Sequence, residues 1–381
     1  MTELEDLVRR GSTIALSDGA GMPRSAFGRL SEAAARAGDV NLLLGWCLGS
    51  LEGLDLSAFA SVRALVGGYG VRPAVEAGQA RYVPMRLGAM PALMHHVRPD
   101  LLVASVGRTG DGVRFTTEVG WLRAAVDAGA LVAAVERPGL PVSDAGPPLP
   151  EDRLVVVDRD PGPPTEVGWR EPRDVDRAIG RRVASLVPEG ARIQFGPGTI
   201  AQAVLEALDV PVVVDSGILS DTVVDLDRRG LLLPAPVATY LAGSAVLYDW
   251  AMGRPMLREI EFTHDVSRLA TGTPFVAINT ALEVDLEGQV NVEAIGHAAI
   301  ASVGGHPDFS FAGSNARNGL SIVALRSLAG GRPTLVERLS APVSTPSHDV
   351  DVLVTEHGTA DLRGRDRQER RALIASLQER S

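Results

Sequence analysis

Short apolar runs alternating with amphipathic stretches fill most of this chain, and they leave it few folds to choose from. The first cycle reads STIAL, the turn SDGAGMP, a helical stretch from about Arg24 to Ala37, the break Gly38-Asp39, and the apolar run VNLLLGW. Pro23 stands where a helix begins, a place at which its missing N–H costs nothing. The alternation continues through DLLVASVG, the helical TEVGWLRAAVDAGA and the run LVAAVE. Apolar runs without polar alternation suit strands buried on both faces, and strands joined by helices build parallel sheets. The expected class is therefore α/β with mostly parallel sheets. Thr2 and Glu5 have the spacing of a capping box for an N-terminal helix that Gly11 would stop.

At 381 residues the chain suits two domains rather than one. Residues 138–164 hold eight of its 25 prolines around one short strand, LVVVD, which is the composition of loop and linker. A helix then opens near Arg173, with Val175, Ile179, Val183 and Leu186 on one stripe. This places an N-terminal α/β domain at 1–170 and a C-terminal one at 171–381.

Several function classes are disfavoured by composition. A formal net charge of −10 argues against nucleic acid as the main partner. No apolar run is long enough for a membrane helix, and the acidic start MTELEDLVRRG has no signal-peptide core, so a cytoplasmic protein is expected. All 37 basic residues are arginine, which excludes Schiff-base lysine chemistry and a lysine-bearing phosphate loop. The single cysteine, Cys47, lies in LLLGWCLGS and reads as a buried, inert thiol. The seven histidines show neither HxH nor HxxxH spacing, so no metal is expected.

Chemistry concentrates in the second half. In ARIQFGPGTIAQAVLEAL a strand meets Gly196-Pro197-Gly198 and a helix opens near Thr199. Glycines let a ligand approach the backbone, and the free N–H groups of a helix start favour an oxyanion or phosphate. In VPVVVDSGILSDTVVDL a strand over Val210 to Val214 emits Asp215, Ser216, Gly217, Ser220 and Asp221, at the strand end where α/β sheets bind ligands; Ser220 or Asp221 also suits a helix cap. AINTALEVDLEGQVNVEAIG reads as two strands around Glu287-Gly288, with Glu283 and Asp285 on one face. SVGGHPDFSFAGS places Gly304, Gly305, His306, Asp308 and Phe309 in one loop. STPSHDVDVLVTEHGTADLRGR sets His348 and His357 on either side of a strand, with Glu356, Asp361 and Arg363 at its exit.

In this order, FGPGTIAQAVLEAL, SDTVVDL, INTALEVDLEGQVN, VGGHPDF with GLSIVAL, and HDVDVLVTEHGTADLRGR resemble the acetyl-CoA hydrolase/transferase family, which includes acetate, butyrate and 4-hydroxybutyrate CoA-transferases. The likeness covers most of residues 190–365; GAGMP and RYVPMRLGAMPALM carry a looser one in the first half. It implies two tandem CoA-transferase-like domains of the NagB/RpiA type, an active site between them, CoA or acyl-CoA as ligand and a homodimer. It further implies a glutamate just before SDTVVDL, whose carboxylate attacks the acyl-CoA and becomes a glutamyl-CoA thioester. Counting back from Ser220-Asp221 puts that position at Gly217, and the family's GGQ-x-D-F loop reads GGHPDF here.

Glycine has no side chain to attack with, so the covalent route is closed at Gly217. Asp215, His306 and Glu283 are the candidates to replace the carboxylate; Ser216 should point to the opposite face of its strand. Gly196, Gly198, Thr199, Gly304, Gly305, His306, Asp308 and Phe309 are the expected CoA-binding positions. The expected function is acyl transfer or thioester hydrolysis without a glutamyl-CoA intermediate. Two alternatives are a non-catalytic CoA-ester-binding subunit or sensor, and a lyase or isomerase of a specialised pathway on the same scaffold.

Overall fold

The computed structural model describes residues 3–378. Its chain divides into two compact units, one comprising Met1–Met85, Ala89–Val167 and Thr239–Glu261, the other Arg86–Gly88, Gly168–Ala238 and Phe262–Ser381. The main crossing, at Val167–Gly168, lies beside the proline-rich stretch, while Thr239–Glu261 returns to the first unit. That return is fixed by backbone pairing: Val119 N–H donates to Thr239 O at 3.0 Å and Leu241 N–H to Thr117 O at 2.8 Å.

The first unit is built on one sheet with strands β1 (Thr13–Leu16), β2 (Asn41–Leu44), β3 (Ser61–Ala64), β4 (Arg81–Tyr82), β5 (Leu101–Thr109), β6 (Gly112–Phe115), β7 (Leu131–Glu136) and β8 (Leu154–Arg159). Their order is β4-β3-β2-β1-β5-β7-β8, with β6 hairpinned onto β5. Every pairing is parallel except β5 with β6. The apolar runs are the strands because both their faces are covered: Leu101 to Val106 are buried without a break. The helix Phe27–Ala37 packs Phe27, Leu30, Ala33 and Ala34 against this sheet's core. The first helix, Leu4–Leu7, ends at Val8 ahead of Gly11. The Thr2 half of the expected capping box lies outside the described residues.

The second unit repeats the plan. Its sheet runs Leu232–Val237, Val212–Asp215, Arg192–Phe195, Phe275–Thr280, Leu320–Ala324, Val352–Thr355 and Gly358–Asp361, all parallel but the last. The expected hairpin forms as Glu283–Asp285 against Val290–Asn291, around Gly288 at φ +83°. One local expectation is corrected. His306, Asp308 and Phe309 belong not to a loop but to the first turn of the helix His306–Asn315, with Gly305 as its N-cap. Pro307 needs no N–H there, and the acid at 308 suits the positive end of the helix.

Candidate functional site

Gly217 lies just beyond the carboxyl end of the strand Val212–Asp215, and the space around it is furnished by residues far away in sequence. A Cβ placed on Gly217 would meet Phe309 Cε2 at 3.4 Å and His264 Cε1 and Nε2 at 3.5 Å. A Cβ on Gly305 would come within 2.6 Å of the same His264 Nε2 and 2.7 Å of Phe309 Cε2, so that position tolerates no side chain unless the rings move. His264 is 4% exposed. Its Nδ1 is 2.9 Å from Thr263 Oγ1, and its ring lies 4.5 Å from that of Phe309. Among the described residues its Nε2 has no hydrogen-bond partner. Burial, with Arg268 nearby, lowers its pKa to about 3, so the imidazole is neutral at pH 7.

Asp215 is not a free carboxylate. Arg268 grips it with both nitrogens, Nη1 to Oδ2 at 2.7 Å and Nη2 to Oδ1 at 2.8 Å, and Arg192 Nη1 lies 3.4 Å from Oδ2. Arg192 in turn donates to the carbonyls of Leu269, Thr271 and Thr273. Such a two-pronged ion pair anchors the strand end to the segment carrying His264. Ser216 is turned inward: its Oγ donates to Phe195 O at 3.0 Å. Ser220 occupies the N-cap of the helix Asp221–Arg228, but its hydroxyl pairs with Thr222 Oγ1 at 2.8 Å instead of capping.

Glu283 is equally committed. It accepts hydrogen bonds from Ser340 N–H and Oγ, at 2.9 Å each, and from Asn291 Nδ2 at 3.0 Å. Asp285, also buried, binds the N–H groups of its own turn at Glu287 and Gln289.

His306 is held differently. Its Nδ1 lies 2.7 Å from Thr345 Oγ1 and 3.3 Å from Ser310 Oγ, and Ser310 accepts from Asn279 Nδ2, whose Oδ1 accepts from Gln194. A buried polar chain thus fixes the ring, and burial lowers its pKa to about 4. Its Nε2 is likewise unpartnered among the described residues. Asp308, pushed by burial to about 6, accepts from Gly88 N–H at 2.9 Å and lies 3.5 Å from Arg86, holding the Arg86–Gly88 segment against this helix start. Phe309 packs into a core with Leu269, Phe275, Ala277 and Ala312.

The Gly196-Pro197-Gly198 turn connects Arg192–Phe195 to the helix Thr199–Ala207. A Cβ at Gly196 or Gly198 would touch nothing within 4 Å, and Gly198 has φ +131°, so the turn exposes bare backbone to open space. Arg326 donates to Thr199 Oγ1 at 3.0 Å while forking onto buried Asp176 at 2.6 and 2.8 Å. Beyond the neighbouring strand, Ser327 Oγ bonds Glu356 at 2.7 Å and His357 Nε2 at 3.0 Å. His348 is exposed, and Asp361 is engaged by Arg363 alongside it on the surface. Cys47 is fully buried, and burial pushes its thiol well up, so it offers no nucleophile.

The fold therefore gathers Gly217, Gly305 and Phe309, leaves Asp215 and Glu283 bound in structural networks, and adds His264, which the sequence reading passed over. His264 sits in EFTHDVSRL with no spacing motif. Only the buried partner Thr263 and the following cap Asp265, which binds the N–H groups of Ser267 and Arg268, mark it as fixed.

Comparison with known proteins bears on the family and the fold. Residues 243–378 match the acetyl-CoA hydrolase/transferase C-terminal domain. A 4-hydroxybutyrate coenzyme A transferase from Clostridium kluyveri is 30% identical over 332 residues, spanning 82% of this chain and 77% of its own. An acetyl-CoA hydrolase from Saccharomyces cerevisiae is 30% identical over 60% of this chain and 47% of its own. In fold, RipA from Yersinia pestis superposes with a TM-score of 0.87 at 22% identity, covering 99% of this chain and 94% of its own. A 4-hydroxybutyrate CoA-transferase from Porphyromonas gingivalis does so with 0.78 at 22%, covering 98% and 92%. The chain belongs to the acetyl-CoA hydrolase/transferase family.

Proposed function

We propose that this protein acts on acyl-CoA thioesters, by hydrolysis or by acyl transfer to an acceptor other than a carboxylate, without placing CoA on the enzyme. The observation that carries the reading is Gly217. The position that the family resemblance assigns to the attacking glutamate has no side chain, and His264 and Phe309 line the space beside it. Neither candidate acid is free to substitute, because Asp215 is gripped by Arg268 and Glu283 by Ser340 and Asn291. A nucleophile from solution must then attack the thioester directly.

The same reading assigns the bare backbone of Gly196, Gly198 and Thr199 to the thioester side of the ligand, where N–H groups at a helix start stabilise developing negative charge. Gly304, Gly305 and the first turn of the helix His306–Asn315 would line the pantetheine arm, with Asp308 holding that turn in place. A cytoplasmic homodimer of two CoA-transferase-like domains, as the family resemblance suggests, belongs to the same proposal.

The test is incubation with acetyl-, propionyl-, butyryl- and succinyl-CoA, each with water alone and with hydroxyl, amine or carboxylate acceptors. Thiol release or transfer to water or a neutral acceptor is expected, and borohydride should trap no glutamyl alcohol. Thermal stabilisation by CoA esters without turnover points instead to a binding subunit. A trapped glutamyl alcohol, or CoA exchange between carboxylates as the main reaction, would overturn the proposal.

A further inference from the structure

We infer that His264 is a catalytic residue of this protein, its Nε2 taking a proton from the attacking nucleophile and returning it to the sulfur of CoA. The inference rests on the acyl-CoA reading above and names the group that does the work at Gly217.

Three observations converge on that nitrogen. It lies between two positions that carry no side chain, 3.5 Å from where a Cβ of Gly217 would stand and 2.6 Å from that of Gly305. It is the unpartnered end of a ring that is 4% exposed. Nothing among the described residues satisfies it, so it is available to a bound molecule. The rest of the ring is fixed as though for aim: Thr263 holds Nδ1, Phe309 packs on its face, and Asp265 caps the helix Val266–Leu269 immediately after it. From that helix Arg268 reaches Asp215, so the His264 segment and the Gly217 segment keep one register through a two-pronged ion pair.

Gly305 is also the N-cap of the helix His306–Asn315. The nitrogen therefore stands at the positive end of a ten-residue helix, which favours the neutral, proton-accepting imidazole over the imidazolium.

With the hydrogen on Nδ1 donated to Thr263 Oγ1, Nε2 has its lone pair free. A water molecule, or the hydroxyl of an acceptor, forms a C–O bond to the thioester carbon as its proton passes to Nε2. The carbonyl π pair moves onto oxygen, facing the backbone N–H groups of Gly196, Gly198 and Thr199 that the functional reading sets at the thioester. Collapse re-forms the carbonyl and breaks the C–S bond, whose electron pair leaves on sulfur. The imidazolium then gives its proton to that sulfur, so acyl-CoA and water become free acid and CoA thiol, and the ring is neutral again. Arg268 is the charged group facing the ring, and together with burial it keeps the resting imidazole in the proton-accepting form at pH 7. The imidazolium arises only beside a developing negative charge.

The experiment uses the full-length protein and the acyl-CoA it turns over fastest. His264→Ala and His264→Gln are expected to lower kcat by about 100-fold or more while KM changes less than about threefold, and added imidazole should restore part of the His264→Ala rate. In the wild type, labelled with 15N-histidine, S-acetonyl-CoA, an unreactive ketone analogue of acetyl-CoA, should shift the Nε2 resonance of His264. If the wild type turns over no acyl-CoA, the functional reading fails and takes this inference with it. If the wild type turns over and either folded variant keeps kcat within about threefold, the inference alone fails. Should both variants unfold, an Nε2 resonance that does not move at saturating analogue overturns it.

Discussion

Glu118 gives this protein a pH dependence whose size and sign follow from its surroundings. It is buried in the first unit, accepts hydrogen bonds from Gly21 N–H at 3.0 Å and Thr117 Oγ1 at 2.6 Å, and leaves so little room that a side chain at Gly19 or Gly21 would strike it. Burial raises its pKa from the ordinary 4.5 to about 8, and the neighbouring Asp18 adds to the effect. Asp18 is itself raised by burial to about 6, against the hydrogen bonds it receives from Trp46, Trp121 and Tyr240. A carboxyl whose folded pKa lies above its unfolded one contributes fully below the unfolded value and loses that contribution as pH rises through the folded value. At about 1.4 kcal/mol per pH unit between the two, flattening as each pKa is approached, Glu118 withdraws roughly 3.5 kcal/mol between pH 5 and pH 8. For a domain of this size that is a fall in melting temperature of about 7–14 °C. Glu118→Gln keeps an acceptor for Gly21 N–H but cannot ionise. Scanning calorimetry from pH 5 to pH 9 should therefore show a steep wild-type decline above pH 6 and a much flatter one for the variant. Parallel curves above pH 6 would refute the assignment of that decline to Glu118.

Two further perturbations separate structure from chemistry around Gly217. Asp215→Asn leaves Arg268 and Arg192 without their counter-charge, should cost about 3–5 kcal/mol in urea unfolding, and should lower kcat of the folded fraction less than His264→Ala does, since it loosens only the register of the His264 segment; a kcat loss as deep as that of His264→Ala at full stability would make Asp215 catalytic after all. Gly217→Ala adds a methyl at ordinary contact distance and should change stability by less than about 1 kcal/mol. Gly217→Glu paired with His264→Ala, which clears the ring, should form a glutamyl-CoA thioester that borohydride reduces to the alcohol, whereas Gly217→Glu alone should form far less.

Much of the architecture was legible because buried parallel strands advertise themselves as apolar runs. STIAL, VNLLLGW, DLLVASVG and LVAAVE all became neighbours in one sheet. What escaped was decided at long range or masked locally. Nothing in the composition of Thr239–Glu261 tells that it pairs with Thr117 and Val119, because a two-residue backbone match leaves no pattern in either segment. The helix at His306 was hidden by its own start signals: Gly304-Gly305 followed by Pro307 reads as a turn, yet proline near a helix N-terminus and an acid in the first turn are what such a helix wants.

The site divides along a similar line. A loss can be seen in one dimension, since counting back from Ser220-Asp221 is enough to find glycine where the family resemblance asks for glutamate. A gain of chemistry has no such ruler. His264 comes to Gly217 only because the strands Val212–Asp215 and Phe275–Thr280 flank Arg192–Phe195 in one sheet, and because Arg268, ahead of the second of those strands, folds back onto Asp215 at the end of the first. Asp215, a candidate because it is nearest in sequence, is near for the opposite reason: a carboxylate at that strand end is what anchors the His264 segment. The acid nearest the missing one is the residue that holds its replacement in place.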